Sequence, residues 1–539
     1  MKGFERLDWF VIGIYFLCIF GITVWVSKRK QQSTEEYFLA GRNIGWFVIG
    51  CSIFASNIGS EHIVGLAGAG ASDKIPMLIY EIQAWVVLML GWIFLPFYSR
   101  SGVFTMPEFL ELRFDSRSRW ILSVFSLVTY VLTKVSVTVY AGGVVVSALL
   151  GIEFWTGAMV TVILTGIYTV IGGMKAVVYT ETLQTIVLIL GSVTLTFLGL
   201  DAVGGWSSMK ATVGAEYLNM WRPMSDPDFP WPSLVITSTI VGIWYWCTDQ
   251  YIVQRVLTAK NIKEGRRGTI LGGFLKLLPV FIFLLPGIIA LALKQRGEIY
   301  WDTPDQAFPV LMTNLLPVGL RGLVAAGLLA ALMSSLASLF NSCSTIFTVD
   351  IYKKLYPKTT EKKLLFIGRL ATIIVVIMGI LWIPIMSNIS GVLYVYLQKI
   401  QAYIAPPITA VFLLGIFYKR INAHGAFVTL VAGFVIAALR IILELMKPFI
   451  SEESIFYYFG NMNFLLFGVY FFLICILIAV IVSLLTPAMN IDKIKGLTYG
   501  TLTKEQIKQN KRSYNWVDIT ISTVIIVIVV FVMILFSGK

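Results

Sequence analysis

Apolar residues fall in runs near or above the roughly 20 residues that a helix needs to cross a bilayer. About fourteen such runs are present: 8 to 28, 45 to 70, 76 to 98, 118 to 149, 153 to 175, 181 to 200, 233 to 257, 268 to 294, 320 to 352, 364 to 387, 391 to 417, 424 to 446, 461 to 486 and 516 to 537. They are called spans 1 to 14 below. The pattern predicts an all-α polytopic membrane protein. Span 1 is full length, opens with Glu5 and Asp8 against Lys2 and Arg6, and is followed by Lys28-Arg29-Lys30. It therefore reads as a retained span and not a cleaved signal.

Two spans break the apolar pattern. In span 2, Ser56, Asn57, Gly59, Ser60, Glu61 and His62 sit at mid-depth, where polar side chains and free backbone groups are tolerated only if they face protein or a cavity. An interrupted helix at Ser56 to Ser60 is expected. Span 7 carries the second interruption, Gly242 to Tyr251, with Trp244, Tyr245, Trp246, Thr248 and Asp249. The two broken spans lie five apart and enter from opposite sides, which suggests inverted five-helix repeats. The resulting organisation is 1–44 for the first helix and its cytoplasmic loop, 45–200 for the first repeat (spans 2 to 6), 201–232 for an external loop, 233–417 for the second repeat (spans 7 to 11), and 418–539 for peripheral C-terminal helices. The 487 to 515 segment is polar and basic and is expected to be a flexible connector. The loops 201 to 232 and 295 to 319 serve as external lids or as plain connectors.

Composition agrees with this reading: 57% of residues are hydrophobic, 13% are charged and mean hydropathy is +0.82. The net charge of +13 does not mark a nucleic-acid binder, because the basic residues occupy every second loop. By the positive-inside rule those loops face the cytoplasm and both termini are extracellular or periplasmic. The five cysteines all fall within spans, so no disulfide framework is implied. With two histidines, no metal-ligand spacing and no phosphate loop, the chain is not expected to be an enzyme.

Two sets of residues stand out. On span 9, Ala331, Ser334 and Ser335 share a helix face. Tight helix packing accounts for such small residues; so does a hard-cation site of hydroxyls and freed carbonyls. Glu61, His62, Glu81, Gln83, Lys276 and Gln398 are polar groups inside predicted spans, with Tyr80, Tyr245, Trp246 and Tyr394 close in sequence. Singly, each reads as an interhelical hydrogen bond; together they suit a polyhydroxyl ligand, which needs polar partners and aromatic faces. A Glu81–Lys276 pair would leave the site near neutral. Lys134, Asp249, Arg255, and the pair Arg440 and Glu444 are read as structural.

The residues Phe54-Ala-Ser-Asn-Ile-Gly-Ser60, Thr105-Met-Pro-Glu108, Gly172-Gly173 through Gln184, Trp244 to Gln250, and Ser334-Ser335 through Asp350-Ile351-Tyr352 resemble those of the sodium/solute symporter family, and within it the sodium/glucose (galactose) cotransporters. The resemblance covers about 35 to 425 and implies a leucine-transporter-like 5+5 inverted-repeat fold. It implies a sodium site on the carbonyls of Ala55, Ile58 and Ala331 and the hydroxyls of Ser334 and Ser335. It implies a sugar site on Asn57, His62, Glu81, Lys276 and Gln398, with Tyr245 as inner gate beside Trp246, and Leu66, Tyr80 and Tyr394 as outer gate. Glu181 stands where relatives have Asp, and Ala337 where a hydroxyl residue accompanies a second sodium site, leaving Glu181 and Ser338 as its vestige. One sodium per sugar is expected. Gly242 and Ile82 depart from sugar-contacting and aromatic residues of relatives, which bears on selectivity.

The expected function is sodium-coupled import of a neutral hexose, glucose or galactose, by alternating access in the plasma membrane (the inner membrane if bacterial). Sodium is the coupling ion and no organic cofactor is expected. The lipid bilayer and the sugar are the expected partners; no nucleic acid is, and the sequence names no protein partner. The alternatives are a sodium symporter for an inositol or another polar solute, or a non-transporting sugar sensor or passive channel.

Overall fold

A computed structural model describes residues 4–28, 31–386 and 393–538, with the side chains of a few of these, Ser60 and Glu61 among them, left undescribed. The predicted positions 387, 391 and 392 at the ends of spans 10 and 11 lie outside the described residues. Each of the fourteen apolar runs corresponds to helix. Ten helices among the described residues are long and apolar enough to cross a membrane, and an eleventh span is a bent pair. Spans 5 and 6 form one run, Phe154–Ala202, that turns at Gly173, whose φ of 58° suits glycine. Spans 4 and 7 contain wide π turns at Tyr130–Val135 and Ile243–Thr248, and span 7 is broken just after its π turn at the extended Asp249.

Span 2 is broken where its polar residues lie. The first half, Trp46–Asn57, ends at Ile58 (φ −85°, ψ 102°), the chain runs extended through Gly59, and the second half, Ser60–Gly70, begins at once. The halves diverge by 63°. The Phe54 carbonyl still accepts from Ile58 N–H at 3.0 Å, whereas those of Ala55 and Ser56 meet hydroxyls from other helices. In the second half, glycine admits a neighbour: a Cβ at Gly65 would stand 2.9 Å from that of Tyr394 on span 11.

The five-helix offset reappears in details that sequence identity does not display. Span 3 carries a π turn at Leu90–Phe94 followed by Leu95-Pro96, and span 8 carries one at Val280–Leu284 followed by Leu285-Pro286. Proline lacks an N–H and crowds the carbonyl four residues back, which favours the wider turn before it. Spans 4 and 9 match in the same way, with π turns at Tyr130–Val135 and Ile346–Tyr352.

One expectation is corrected. The 487 to 515 segment is docked. It holds the helix Lys504–Arg512, and Arg266 on span 8 donates to Asn510 Oδ1 at 2.7 Å and Ser513 Oγ at 2.6 Å while lying over Trp92 and Tyr514. The external loops also pack down: Tyr217 donates to the Gly70 carbonyl at 2.7 Å and accepts from Asp73 N–H at 2.7 Å.

Candidate functional site

Both broken helices face a narrow central cavity of about 40 Å³. Asn57, His62, Tyr80, Glu81, Lys276, Gln398, Tyr245 and Trp246 all line it. Glu81 is its electrostatic centre. Lys276 Nζ lies 2.6 Å from Glu81 Oε2 and 3.5 Å from Asn57 Oδ1, while His62 Nε2 lies 3.6 Å from Glu81 Oε1. Tyr394 donates its hydroxyl to Glu81. Asn57 reaches His62 Nε2 at 3.3 Å, and the His62 ring meets Tyr394 edge-on at 5.6 Å. The Lys276 ammonium also stands 5.3 Å from the Trp246 ring, and Tyr245 stands at right angles to Trp246 at 5.0 Å. The Gln398 amide oxygen and the Tyr80 hydroxyl are buried without a hydrogen-bond partner among the described residues, so both remain available to a ligand.

The second cluster lies on the other side of the same break. Ser334 Oγ is 2.9 Å from the Ala55 carbonyl and 2.8 Å from that of Ala331; Ser335 Oγ is 3.2 Å from the Ile58 carbonyl and 3.4 Å from that of Ser56. The Ser56 carbonyl also accepts from the Tyr251 hydroxyl, and the Ala331 carbonyl lies inside the helix Leu320–Thr345. The free lone pairs of these hydroxyl and carbonyl oxygens could coordinate a hard cation together. The donor set is all oxygen and has no carboxylate, which fits a monovalent alkali ion held reversibly.

Glu181 and Ser338 are fully buried one turn further in. Ser338 donates to Glu181 Oε1 at 2.6 Å, Ser56 donates to the same oxygen at 3.0 Å and Ser52 donates to Oε2. Arg255 sits 3.5 Å from Glu181 Oε1 and donates to Ser56 Oγ at 2.9 Å. The guanidinium thus lies beside the carboxylate, and Ser56 joins this cluster to the previous one.

Among outer-gate residues, Tyr80 is in the cavity wall, whereas Leu66 and Tyr394 are fully buried beside it and do not line it. The Glu61 side chain lies outside the described residues. Ile82 is buried away from the cavity; Gly242 lines it, and the missing side chain leaves room for Gln83, whose amide donates to the Ser238 carbonyl at 2.6 Å. Gln401, Thr138, Tyr251 and Lys134 also line the cavity, and reading the residues alone misses them. Lys134 is legible as a lysine inside an apolar span, where a structural pair is expected. Asp249 is indeed its partner. Arg440 is 3.9 Å from Glu444, but the glutamate's nearer partners are Lys399 and the Tyr403 hydroxyl.

Comparison with known proteins gives the following. A family model described as "Sodium:solute symporter family" matches residues 37–433. Sheep sodium/glucose cotransporter 1 is 40% identical over 536 residues, covering 90% of this chain and 80% of the relative. Mouse sodium/myo-inositol cotransporter is 38% identical over 571 residues, covering 95% and 78%. Among solved structures, a Na+-coupled sialic acid symporter in a substrate-bound outward-open state superposes with a TM-score of 0.77 at 24% identity, covering 90% of this chain and 99% of that one. Mhp1, a nucleobase-cation-symport-1 family transporter, superposes with a TM-score of 0.52 at 14% identity, covering 90% and 99%. These two likenesses carry the fold.

Proposed function

The chain belongs to the sodium:solute symporter family, and from that premise we propose that it imports a neutral hexose, glucose or galactose, with one sodium ion per sugar. It is a multi-pass membrane transporter and not an enzyme, and sodium is its coupling ion. The observation that carries the finer reading is the shared break of span 2. Ala55 and Ile58 direct carbonyls to Ser334 and Ser335, and Asn57 and His62, on the same few residues, face the cavity. An ion that orders the break therefore orders the solute site.

The solute class follows from charge and shape. Among the described residues, the lysines lining the cavity, Lys276 and Lys134, both contact carboxylates, and no guanidinium lines it. Tyr245 and Trp246 give an apolar face, and Gln398, Tyr80 and Asn57 give hydrogen-bonding groups, as a polyhydroxyl ring needs. Sodium binds from outside and stabilises the outward-open form; the repeats then rock, and sodium leaves to the cytoplasm from a site without formal charge. At 100 mV the potential supplies ~2.3 kcal/mol per sodium and a tenfold gradient adds about 1.4 kcal/mol. Together they sustain a solute gradient of several hundred-fold.

The second reading, a myo-inositol carrier, is favoured by relatives of that name at comparable identity. Labelled glucose uptake into proteoliposomes under an inward sodium gradient, competed with galactose, myo-inositol and mannitol, separates the two. Uptake that ignores the sodium gradient would remove the symport reading. The charge asymmetry of the loops supports a plasma-membrane orientation with both termini outside, to be checked by protease access to terminal tags on intact cells.

A further inference from the structure

Lys134 is the one lysine of span 4's π turn, and its surroundings exceed what a structural ion pair requires. Its ammonium contacts Asp249, the extended residue at which span 7 is broken. It is also ringed by aromatics: Tyr245 and Tyr251 at 4.7 Å, Trp244 at 4.9 Å and Tyr130 at 5.1 Å. Three of those four rings belong to span 7. The cation thus grips both sides of the span 7 break and the ring of Tyr245 at once.

Its position in the cavities gives the grip a direction. Lys134, Tyr245 and Tyr251 line the central cavity, and Tyr130, Trp244, Thr248 and Asp249 line a second, water-sized one of about 10 Å³ whose wall reaches Met106 and Pro107. Met106 and Pro107 open the short helix Met106–Arg113 in the basic loop assigned to the cytoplasmic side. The lysine and its aspartate therefore stand between the solute cavity and a water-sized space on the side of the loop assigned to the cytoplasm.

We propose that the Lys134–Asp249 pair is the bolt of the cytoplasmic gate. Span 4 holds span 7 shut through a caged ammonium, and the bolt must be drawn for the Tyr245 ring to move and the solute to leave inward. Lys134 is a gate-positioning residue and not a solute ligand. The inference rests on the transport reading given above, but one of its readouts does not. Cys247 is a buried free thiol inside the span 7 π turn, next to Trp246, and it reports opening without any solute.

The test uses the full chain in proteoliposomes. Lys134→Met combined with Asp249→Asn removes both charges, so that neither is left buried and alone, and the carboxamide that replaces the carboxylate keeps an oxygen for capping Tyr251 N–H. Modification of Cys247 by a maleimide, read by peptide mass spectrometry, is expected to rise about tenfold over the native chain, the size expected when a barrier loses a contact of this kind. Efflux of preloaded labelled glucose or myo-inositol without sodium is expected to rise likewise. Lys134→Arg, which keeps the cation, should return both toward native values. Unchanged Cys247 modification in the folded double variant overturns the bolt, whatever happens to transport. Raised modification in a protein that takes up neither solute upholds the bolt and rejects the transport reading.

Discussion

The two broken helices occupy equivalent places in the two repeats and are built in opposite ways. Span 2 breaks through a two-residue extended gap, Ile58 and Gly59, between helices that diverge by 63°. Span 7 widens into a π turn, Ile243–Thr248, before its single extended residue, Asp249. The first break offers backbone oxygens to the hydroxyls of span 9. The second offers three rings and a carboxylate to a lysine of span 4. An inverted repeat supplies the same opening twice, and the side chains decide that one break presents oxygens, as the proposed ion site requires, while the other presents rings and a carboxylate, as the proposed gate requires.

If the span 2 break works through its oxygen neighbours, the largest effect comes from Ser335. Ser335→Ala removes one hydroxyl and leaves the Ile58 carbonyl without that partner. Sodium-driven uptake should fall to background, a drop of at least about tenfold, which corresponds to ~1.4 kcal/mol or more of lost ion binding; sodium titration of uptake checks it. Unchanged sodium dependence would leave the span 2 break as mere packing.

Next in size is the pair that joins the break to the solute cavity. Glu81→Gln leaves Lys276 as an uncompensated buried charge, and loss of one partner of such a pair costs about 3–5 kcal/mol. A lowered melting temperature and lost uptake are expected. Adding Lys276→Met should recover most of the melting temperature and none of the uptake. Recovery of uptake as well would show that the pair only holds the helices together.

How far these features are legible in sequence depends on their range. The spans are legible because bilayer thickness sets the length of an apolar run. The break of span 2 is legible because Ser56, Asn57 and Gly59 are misplaced in lipid. Which faces turn inward is not, since Gln401, Thr138 and Tyr251 enter the cavity through helix rotation fixed by packing. The Glu181–Arg255 contact joins distant spans, so nothing local announces it. The docking of the 487 to 515 segment is hidden for the same reason: its composition is that of a solvated linker, and the contact that orders it comes from Arg266. The family resemblance points to the proposed sodium and solute residues because it carries three-dimensional information that a single chain's pattern lacks.

A smaller effect tests the solute-facing end of span 7. Gly242 lies against Gln83, and a Cβ there would meet the Gln83 carboxamide carbon at 2.9 Å. Gly242→Ser should push Gln83 off the Ser238 carbonyl and into the cavity. The ratio of glucose to myo-inositol competition is expected to change by about tenfold or less, the range open to one polar contact in a pocket, with sodium affinity unaltered. A shift in sodium affinity would mean that the two breaks do not divide ion and solute as described.

The smallest effect concerns the loop segment packed over span 2. Its outer half lies under the external segment Pro304–Gln306, where the carboxyl of Asp305 packs against Gly68 and leaves Oδ1 without a partner among the described residues. Burial pushes Asp305 up to about 6 from its ordinary 3.8, because the charged form loses its hydration. A carboxyl raised on packing stabilises the packed form when it is protonated. That contribution is complete below the ordinary value and is lost as pH rises through about 6. The external segment should therefore hold more firmly to span 2 at pH 5 than at pH 7.5, visible as slower amide exchange over residues 66 to 74. Asp305→Asn, neutral at both pH values, should abolish the difference while the span 7 amides 243 to 250 stay indifferent to pH in both proteins. Equal pH dependence at the two breaks would mean that the external segment closes over the whole cavity and not over span 2 alone.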